Sequence, residues 1–363
     1  MRNGRLRAAI PTVPQTADHR TSLVRWRTTL PLLVLLAIAV HAILPQLATL
    51  ESTAAELRQM RWWAVGLAAM AQAVSLGAYG YTVQSVARLT RDQIGGIAAV
   101  RVALAATSIG LVSGGPLGFG AATHRWLRDR GFSADGAALC ASVPGILNIT
   151  ALVAFTVIGV TYLVAHHVLG HSQRVTLAML GVVVVGLVLL TTWLLTSPER
   201  TIRLVTAVRR GLQRVRRRVV TDAPGADLRS RIGFIHESLR NGAWLRPLLG
   251  AIGKLAFDVV TLFLLFVGTG DVIHPLALLA GYALPQLVGT ISFVPGGLGI
   301  VEGGMTGLFV AIHVPAATAV LVVLAYRGLS FWAPLLLGIP FAVGLERSRR
   351  GALRAASQPR ADV

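Results

Sequence analysis

Long apolar stretches alternate with short, arginine-rich polar segments along the 363 residues of this chain. A helix that crosses a membrane needs about 20 consecutive apolar residues, because each residue advances the helix by only about 1.5 Å. Six stretches reach that length and predict transmembrane helices: Leu30–Leu50, Trp62–Val86, Ala134–Ala165, Val175–Thr196, Pro247–Val267 and Pro315–Gly344. The pattern therefore predicts an all-α polytopic membrane protein.

Two further apolar stretches, Ile94–Thr123 and Ile273–His313, are interrupted by glycines near their middle. Lipid offers no partners for free backbone N–H and C=O groups, so a break at membrane depth must be buried in protein or line a wet cavity. Glycine adopts the positive φ angles of such a break without a steric penalty. We interpret both stretches as re-entrant hairpins that enter and leave on one side. The alternative is that the glycines only allow close helix packing.

The composition agrees with a membrane protein and limits its function. Hydrophobic residues make up 54% of the chain, charged residues only 13%, and the mean hydropathy is +0.66. A soluble globular chain carries about 25% charged residues. The formal net charge is nevertheless +19, with 33 Arg and a single Lys. A nucleic-acid-binding protein would place such a charge on a soluble fold, so we predict no nucleic-acid partner.

The basic residues predict the orientation, because Lys and Arg accumulate on the cytoplasmic side of a membrane. If the N-terminus is cytoplasmic and each hairpin returns to its own side, the cytoplasmic segments contain 28 Arg and the outside loops contain three. Both termini then lie in the cytoplasm. The predicted parts are a basic tail 1–29, a membrane half 30–196 with a hairpin at 94–123, an Arg-rich loop 197–246, a membrane half 247–344 with a hairpin at 273–313, and a basic tail 345–363.

The loop 197–246 contains twelve Arg, and aliphatic residues alternate with them over its first half. This pattern is typical of a helix that lies on an anionic membrane surface. We therefore predict contact with the anionic cytoplasmic leaflet. Simple topology-setting charge is the alternative.

The two membrane halves resemble each other when the chain is shifted by 182 residues. The shift places 112–118 on 294–299, with one residue skipped, and places the helix at 62–86 on 244–268. Each half then contains a helix, a second helix, a hairpin and a third helix. Because three crossings is an odd number, the second half must be inverted relative to the first. Inverted repeats whose broken elements meet near mid-membrane are typical of transporters.

The glycine breaks predict a substrate site, since a half-helix that starts inside the membrane directs its N–H groups and positive end toward the cavity. This environment suits an anionic group such as a lipid phosphate. The residues of the two breaks are Gly114, Gly115, Gly118, Pro295, Gly296, Gly297 and Gly299.

Charged residues inside apolar segments are energetically costly and are usually functional or paired. Glu302 follows the second break, and Arg327 lies in the last helix. We predict that they flank the site, with Arg327 on a phosphate and Glu302 on a cationic headgroup or a proton. A purely structural ion pair between them is the alternative.

Three further charged residues lie in apolar segments. Lys254 and Asp258 share one helix face and form either a self-neutralising pair or part of a proton or ion relay. Arg101 either reaches the cytoplasmic surface along its aliphatic stem or holds a headgroup. We predict no metal and no cofactor: Cys140 is the only cysteine, and the outside His cluster at 166–171 has no carboxylate in its loop.

At the second break the sequence resembles a known family. Phe-Val-Pro-Gly-Gly-Leu-Gly-Ile-Val-Glu at 293–302, followed by Ala-Tyr-Arg at 325–327, is similar to the membrane region of bacterial lysylphosphatidylglycerol synthases. That region is the flippase domain of multiple peptide resistance factors. The resemblance extends from about Leu30 to Gly344. The resemblance is looser in the first half, where Ser113 stands opposite Pro295. In that half Arg125 matches a basic position of the family.

The resemblance implies movement of a membrane phospholipid or lipid-linked substrate, often aminoacylated or glycosylated, across the bilayer. In the two-part family members, a C-terminal soluble domain makes the aminoacyl lipid from charged tRNA. The tail after Glu346 is too short for such a domain, so we expect no synthase activity. We expect a flippase-like or scramblase-like transporter of the cytoplasmic membrane.

Two alternatives to transport remain at this point. One is a membrane-embedded transferase that modifies a lipid, and the other is an accessory subunit that transports nothing. A transferase would need a catalytic base or metal-binding carboxylates at the membrane surface. The sequence contains neither H-E-x-x-H nor G-x-S-x-G, so we expect no enzymatic activity. The sequence predicts no oligomeric state.

Overall fold

The computed structural model describes residues 60–90, 92–112, 116–166, 242–292 and 294–357, together with Gly186, and the regular elements in these ranges are all helical. The predicted all-α class is therefore confirmed for this part of the chain. Several predicted features lie entirely or almost entirely outside the described residues: the helices Leu30–Leu50 and Val175–Thr196, the tail 1–29, the loop 197–246, and the break residues Gly114 and Gly115.

The first described half contains four helices. They are α1 (Trp62–Leu89), α2 (Gly96–Val112), α3 (Pro116–Asp129) and α4 (Ala134–Ala165). The bounds of α4 equal the predicted ones, and the Ser133 hydroxyl caps its start by accepting a hydrogen bond from the Gly136 N–H at 3.0 Å. Helix α3 continues six residues beyond the predicted end at Thr123, because buried Trp126 and Leu127 continue its apolar face.

The second half contains five helices and two irregular turns. They are α5 (Leu245–Thr269), α6 (Pro275–Ile291), a 3₁₀ turn (Pro295–Gly297), α7 (Ile300–Ala311), α8 (Ala316–Arg327), a π-helical turn (Gly328–Trp332) and α9 (Ala333–Ser357). The predicted end of the last helix at Gly344 is wrong. The apolar pattern stops there, but the backbone stays helical to Ser357, and Glu346 pairs with Arg349 one turn later at 3.3 Å.

Three of the described helical stretches are long and apolar enough to cross a membrane: Ala134–Ala165, Leu245–Thr269 and Ala316–Arg349. The chain is therefore a membrane protein with apolar helices. Helix α1 is 28 residues long but more polar, because its inner face carries buried Gln72, Ser75, Thr82 and Ser85. Several of its large apolar side chains point outward instead, among them Trp62, Trp63 and Met70.

The helix pairings recur between the two halves. Helices α1 and α5 pack along each other at the centre. The contact of α2 with α9 in one half corresponds to the contact of α6 with α4 in the other. The contact of α2 with α3 likewise corresponds to that of α6 with α7. Both long outer contacts depend on glycine: Gly159 of α4 lies against the Ala280 backbone in α6, and Gly338 of α9 lies against Leu104 and Ser108 in α2.

The first broken stretch begins and ends at the same end of the bundle. Asp92 precedes α2, and Ser133 follows α3. The Asp92 carboxylate accepts hydrogen bonds from the Ser133 N–H at 3.2 Å and from the Ser133 hydroxyl at 2.9 Å. Since Ser133 also caps α4, the stretch returns to the N-terminal end of α4.

The second broken stretch also folds back on itself. Gly289, Pro285 and Gly281 of α6 contact Val301, Gly304 and Phe309 of α7 in that order, so the two helices are antiparallel. His274, the residue that caps α6, stacks on Tyr162 near the C-terminal end of α4, with 4.4 Å between ring centroids. The two broken stretches therefore start at opposite ends of α4.

We expect Gly159→Ala to destabilise the protein by about 1–3 kcal/mol, because its methyl group would overlap the Ala280 backbone, which cannot give way as a flexible side chain can. The measurement is thermal unfolding of the purified protein in detergent. Gly145→Ala in the same helix is the control, since nothing lies within 4 Å of its added methyl group. Equal melting temperatures for the two variants would contradict this packing.

Candidate functional site

The second break is built on three glycines in the left-handed region. Gly296 and Gly297 both have φ of 63°, and Gly299, the residue before α7, has φ of 82°. Side chains other than glycine rarely adopt these angles, so the sequence Pro-Gly-Gly-Leu-Gly allows the chain to reverse within a few residues. In the first half, Gly118 lies inside α3 rather than in the break, so its predicted place in a turn is wrong. Pro116 begins that helix, as is common for proline.

Glu302 occupies the first turn of α7 and makes two contacts there. One carboxylate oxygen accepts a hydrogen bond from the Gly299 N–H at 2.7 Å, and the other accepts one from Arg327 Nε at 2.6 Å. The first contact satisfies a backbone group at the start of a helix, as in a capping box. Both partners of the ion pair are nearly inaccessible, with 6% of Glu302 and 5% of Arg327 exposed.

Arg327 ends α8 and holds the break in place. Its Nη2 donates a hydrogen bond to the Gly296 carbonyl at 3.0 Å, and its guanidinium lies 4.6 Å from the centre of the Phe331 ring. That ring also packs on the Cα of Gly296, where any side chain would overlap it. The π-helical turn that follows Arg327 carries Phe331, and such turns often occur at functional sites.

A second buried cluster is centred on Asp258 of α5. The Asp258 Oδ2 atom accepts hydrogen bonds from Lys254 Nζ at 2.6 Å and from the Tyr282 hydroxyl at 2.9 Å. The Oδ1 atom accepts from Gln72 Nε2 at 3.1 Å and from the Ser75 hydroxyl at 2.5 Å. The predicted helix-face pair of Lys254 and Asp258 is thus present, and it is joined to two further helices, α1 and α6.

Two tyrosines connect the clusters. Tyr282 binds Asp258, and its ring meets the ring of Tyr326 edge-on, with 6.1 Å between centroids. Tyr326 is fully buried and immediately precedes Arg327. Sequence reasoning did not assign Gln72, Ser75 or Tyr282 to a site. The available signal was the presence of polar side chains inside otherwise apolar helices.

The other predicted residues lie on α2 and α3 and contact α9. Arg101 is exposed, and its guanidinium lies 5.9 Å from the Phe341 ring centre. Arg125 forms an ion pair with Glu346 at 3.6 Å. Neither arginine forms an ion pair or hydrogen bond with Glu302. The structure therefore does not join Arg101 and Arg125 to the second break.

Metal binding can be assessed only for part of the chain. In the ranges that the structure covers, no group of three or more His, Cys, Asp or Glu side chains is placed to hold a metal ion. His167 and His171 of the predicted outside cluster lie outside those ranges, while His166 packs beside Tyr162.

Comparison with known proteins identifies a family. The family described as the lysylphosphatidylglycerol synthase TM region matches residues 32–338. A UPF0104 membrane protein of Methanothermobacter thermautotrophicus is 36% identical over 85 residues, which cover 23% of this chain and 25% of that protein. Another, from Pyrococcus horikoshii, is 38% identical over 81 residues, 22% of this chain and 24% of the relative. The chain thus spans about a quarter of the length of the curated relatives it matches.

We expect Arg327→Met to lower the free energy of unfolding by about 3–5 kcal/mol, because it leaves the Glu302 carboxylate buried without its cation. Glu302→Gln removes the opposite charge. The double variant should lose much less than the sum of the single losses, as its buried groups are both neutral. Thermal unfolding of the wild type and the three variants in one detergent measures this coupling. Strictly additive losses would show that the two residues do not interact.

Proposed function

The chain belongs to the family of lysylphosphatidylglycerol synthase transmembrane regions, and on this premise we propose that it moves an anionic, aminoacylated or glycosylated lipid across the cytoplasmic membrane. The observation that carries this proposal is the buried arginine at the glycine break, Arg327. A lipid phosphate is the membrane-borne group that such a cation recognises.

The donor capacity of Arg327 supports a phosphate contact. A guanidinium has five N–H donors, and the hydrogen bonds that Arg327 forms within the described residues use two of them. The planar fork matches a phosphate in bidentate geometry. Glu302 likewise accepts only two hydrogen bonds there, which leaves it able to accept from a cationic aminoacyl group.

We further propose that six membrane-crossing helices and two re-entrant hairpins form an inverted repeat. The recurring helix pairs and the opposite starting ends of the two broken stretches support this arrangement. The end of α2 also approaches the second break, since Leu111 packs in one cluster with Val294 and Leu298. Broken elements that meet near mid-membrane are the usual substrate position in such transporters.

A lipid-modifying transferase is the second candidate, and the buried acids argue against it. A general base must be close to the proton it removes and able to accept it. Asp258 already accepts four hydrogen bonds, and Glu302 is paired with Arg327. Transport needs no such base, since it makes and breaks no covalent bond.

Reconstitution into liposomes tests transport directly. We expect the purified protein to accelerate the transbilayer movement of fluorescent phosphatidylglycerol, measured by chemical quenching of the outer leaflet. Arg327→Lys and Glu302→Gln should each slow it by about tenfold or more, because each removes a charge-assisted hydrogen bond of about 1.5–3 kcal/mol. Arg88→Lys, an exposed arginine at the end of α1, is the control and should transport normally.

The outcomes separate the candidates. Full activity in both site variants would overturn the site assignment. Absence of accelerated movement for every anionic or glycosylated lipid tested would overturn transport. Formation of a new lipid product from a donor would establish the transferase, and failure of both assays would leave an accessory subunit.

The proposed topology places Arg130, after the first hairpin, in the cytoplasm and Val272, before the second, outside. Both side chains are exposed, at the two ends of the bundle. We expect a membrane-impermeant maleimide to label Val272→Cys in intact cells but Arg130→Cys only after permeabilisation. The native Cys140 is fully buried and gives little background. Labelling of Arg130→Cys in intact cells would contradict a re-entrant first hairpin.

A further inference from the structure

The Asp258 cluster contains two charged groups, and they differ in how much of their hydrogen-bonding capacity is used. A carboxylate offers about four lone-pair positions. Each oxygen of Asp258 accepts two hydrogen bonds, so the four donors Lys254, Tyr282, Gln72 and Ser75 occupy all of them. Its side chain is 1% exposed. Asp258 therefore has no acceptor position left for a cationic ligand.

Lys254 is the opposite case. Its ammonium has three N–H donors, and within the described part of the chain it donates one, to Asp258. Its side chain is 22% exposed, against 1% for its partner. Lys254 lies well inside the membrane-length helix α5, where an ammonium with unused donors is unfavourable unless an acceptor or water reaches it. The side of the cluster that is open to a ligand is thus cationic.

Two tyrosines lie between the Lys254–Asp258 pair and Arg327. Asp258 fixes Lys254, Tyr282 binds the same carboxylate oxygen, and Tyr282 meets Tyr326 beside Arg327. Gln72 and Ser75 hold Asp258 from α1, which keeps the carboxylate in place whatever Lys254 contacts. A series of contacts thus runs from Lys254 through Asp258 and Tyr282 to Tyr326, the residue that precedes Arg327.

We propose that Lys254 is a second contact point for the phosphate-bearing headgroup of an anionic lipid, and that Asp258 positions Lys254 instead of binding the lipid. This assignment rests on the proposed lipid transport and makes it more specific. It assigns different roles to Lys254 and Asp258, which the sequence shows only as a pair on one helix face. It also predicts that the cluster prefers anionic to zwitterionic lipids, because the accessible Lys254 ammonium is attracted by a lone phosphate and repelled by the quaternary ammonium of a phosphocholine headgroup.

The composition of the chain allows a direct test on the wild-type protein. Lys254 is the only lysine among 363 residues, so it carries the only side-chain amine. A membrane-permeant amine-acetylating reagent will modify Lys254 and the N-terminus, and mass spectrometry of the peptide around 254 gives the rate. We expect phosphatidylglycerol at ten times its Kd to slow acetylation of Lys254 by about tenfold through simple mass action.

Four comparisons make the result specific. Bilayers of phosphatidylcholine alone should give no protection, and neither should inorganic phosphate, which shares the anion but not the lipid. Acetylation of the N-terminus provides the internal reference for reagent concentration. The Lys254→Arg variant has no side-chain amine and gives the background for the 254 peptide.

Several results would overturn the assignment. Equal acetylation rates with and without phosphatidylglycerol would show that Lys254 is only a structural partner of Asp258. Equal protection by phosphatidylcholine would show that the site does not select anionic lipids. Protection by inorganic phosphate alone would show that the ligand is a free anion and not a lipid.

Charge-removing variants provide a second measurement. Lys254→Gln combined with Asp258→Asn removes both charges and leaves no lone charge buried, and the melting temperature of this double variant shows whether the fold is retained. We expect this double variant to bind phosphatidylglycerol about tenfold more weakly by native mass spectrometry, and Lys254→Arg to bind as the wild type does. Unchanged binding in a double variant with a normal melting temperature would contradict the proposal.

The transport assay separates this inference from the proposed function. Protection of Lys254 without any lipid movement would keep the binding site and reject transport. Lipid movement with unprotected Lys254 would keep transport and reject the role of Lys254.

Discussion

The structure depends on one constraint: inside a membrane, each charge and each free backbone group must find its partner within the protein. The Glu302–Arg327 pair meets this requirement for two side chains and for the glycine break at once. Glu302 binds the N–H of Gly299, and Arg327 binds the carbonyl of Gly296. The charged pair therefore fixes an irregular backbone that lipid would not tolerate, and the Phe331 ring packs against both Gly296 and the Arg327 guanidinium.

The same constraint explains the second cluster. A lone carboxylate at the position of Asp258 would be very unfavourable, and four donors from three helices compensate it. This arrangement ties α5 to α1 and α6 and gives the central helix pair a polar seam. Because the carboxylate is fully satisfied, what the cluster presents to its surroundings is the amine of Lys254. Because the hydrogen bonds to Asp258 fill its acceptor positions, Lys254 is the charged group of the cluster that can still bind a ligand.

The proposed function rests on the hydrogen-bond donors and acceptors that have no protein partner within the described residues. The described hydrogen bonds leave donors on Arg327 and on Lys254, and acceptor positions on Glu302, and the contact between Tyr282 and Tyr326 lies between the two clusters. A lipid headgroup with a phosphate and an amine complements that set. The family to which the chain belongs is defined by its membrane region, and the site lies within the matched residues 32–338. The hydrogen-bonding capacity that the folded protein leaves unused therefore indicates which groups can bind a ligand.

The sequence by itself determined the helical class, the bounds of α4 and the second break, because apolar length and glycine clusters act locally. It also showed that Glu302 and Arg327 are exceptional, since charges in apolar runs are conspicuous. Only the tertiary structure decided their partners. It placed Gly118 inside a helix, continued α9 to Ser357 and brought Gln72, Ser75 and Tyr282 to Asp258. Residues up to 186 positions apart make these contacts, and hydrophobic periodicity contains no information about which distant polar group will meet which.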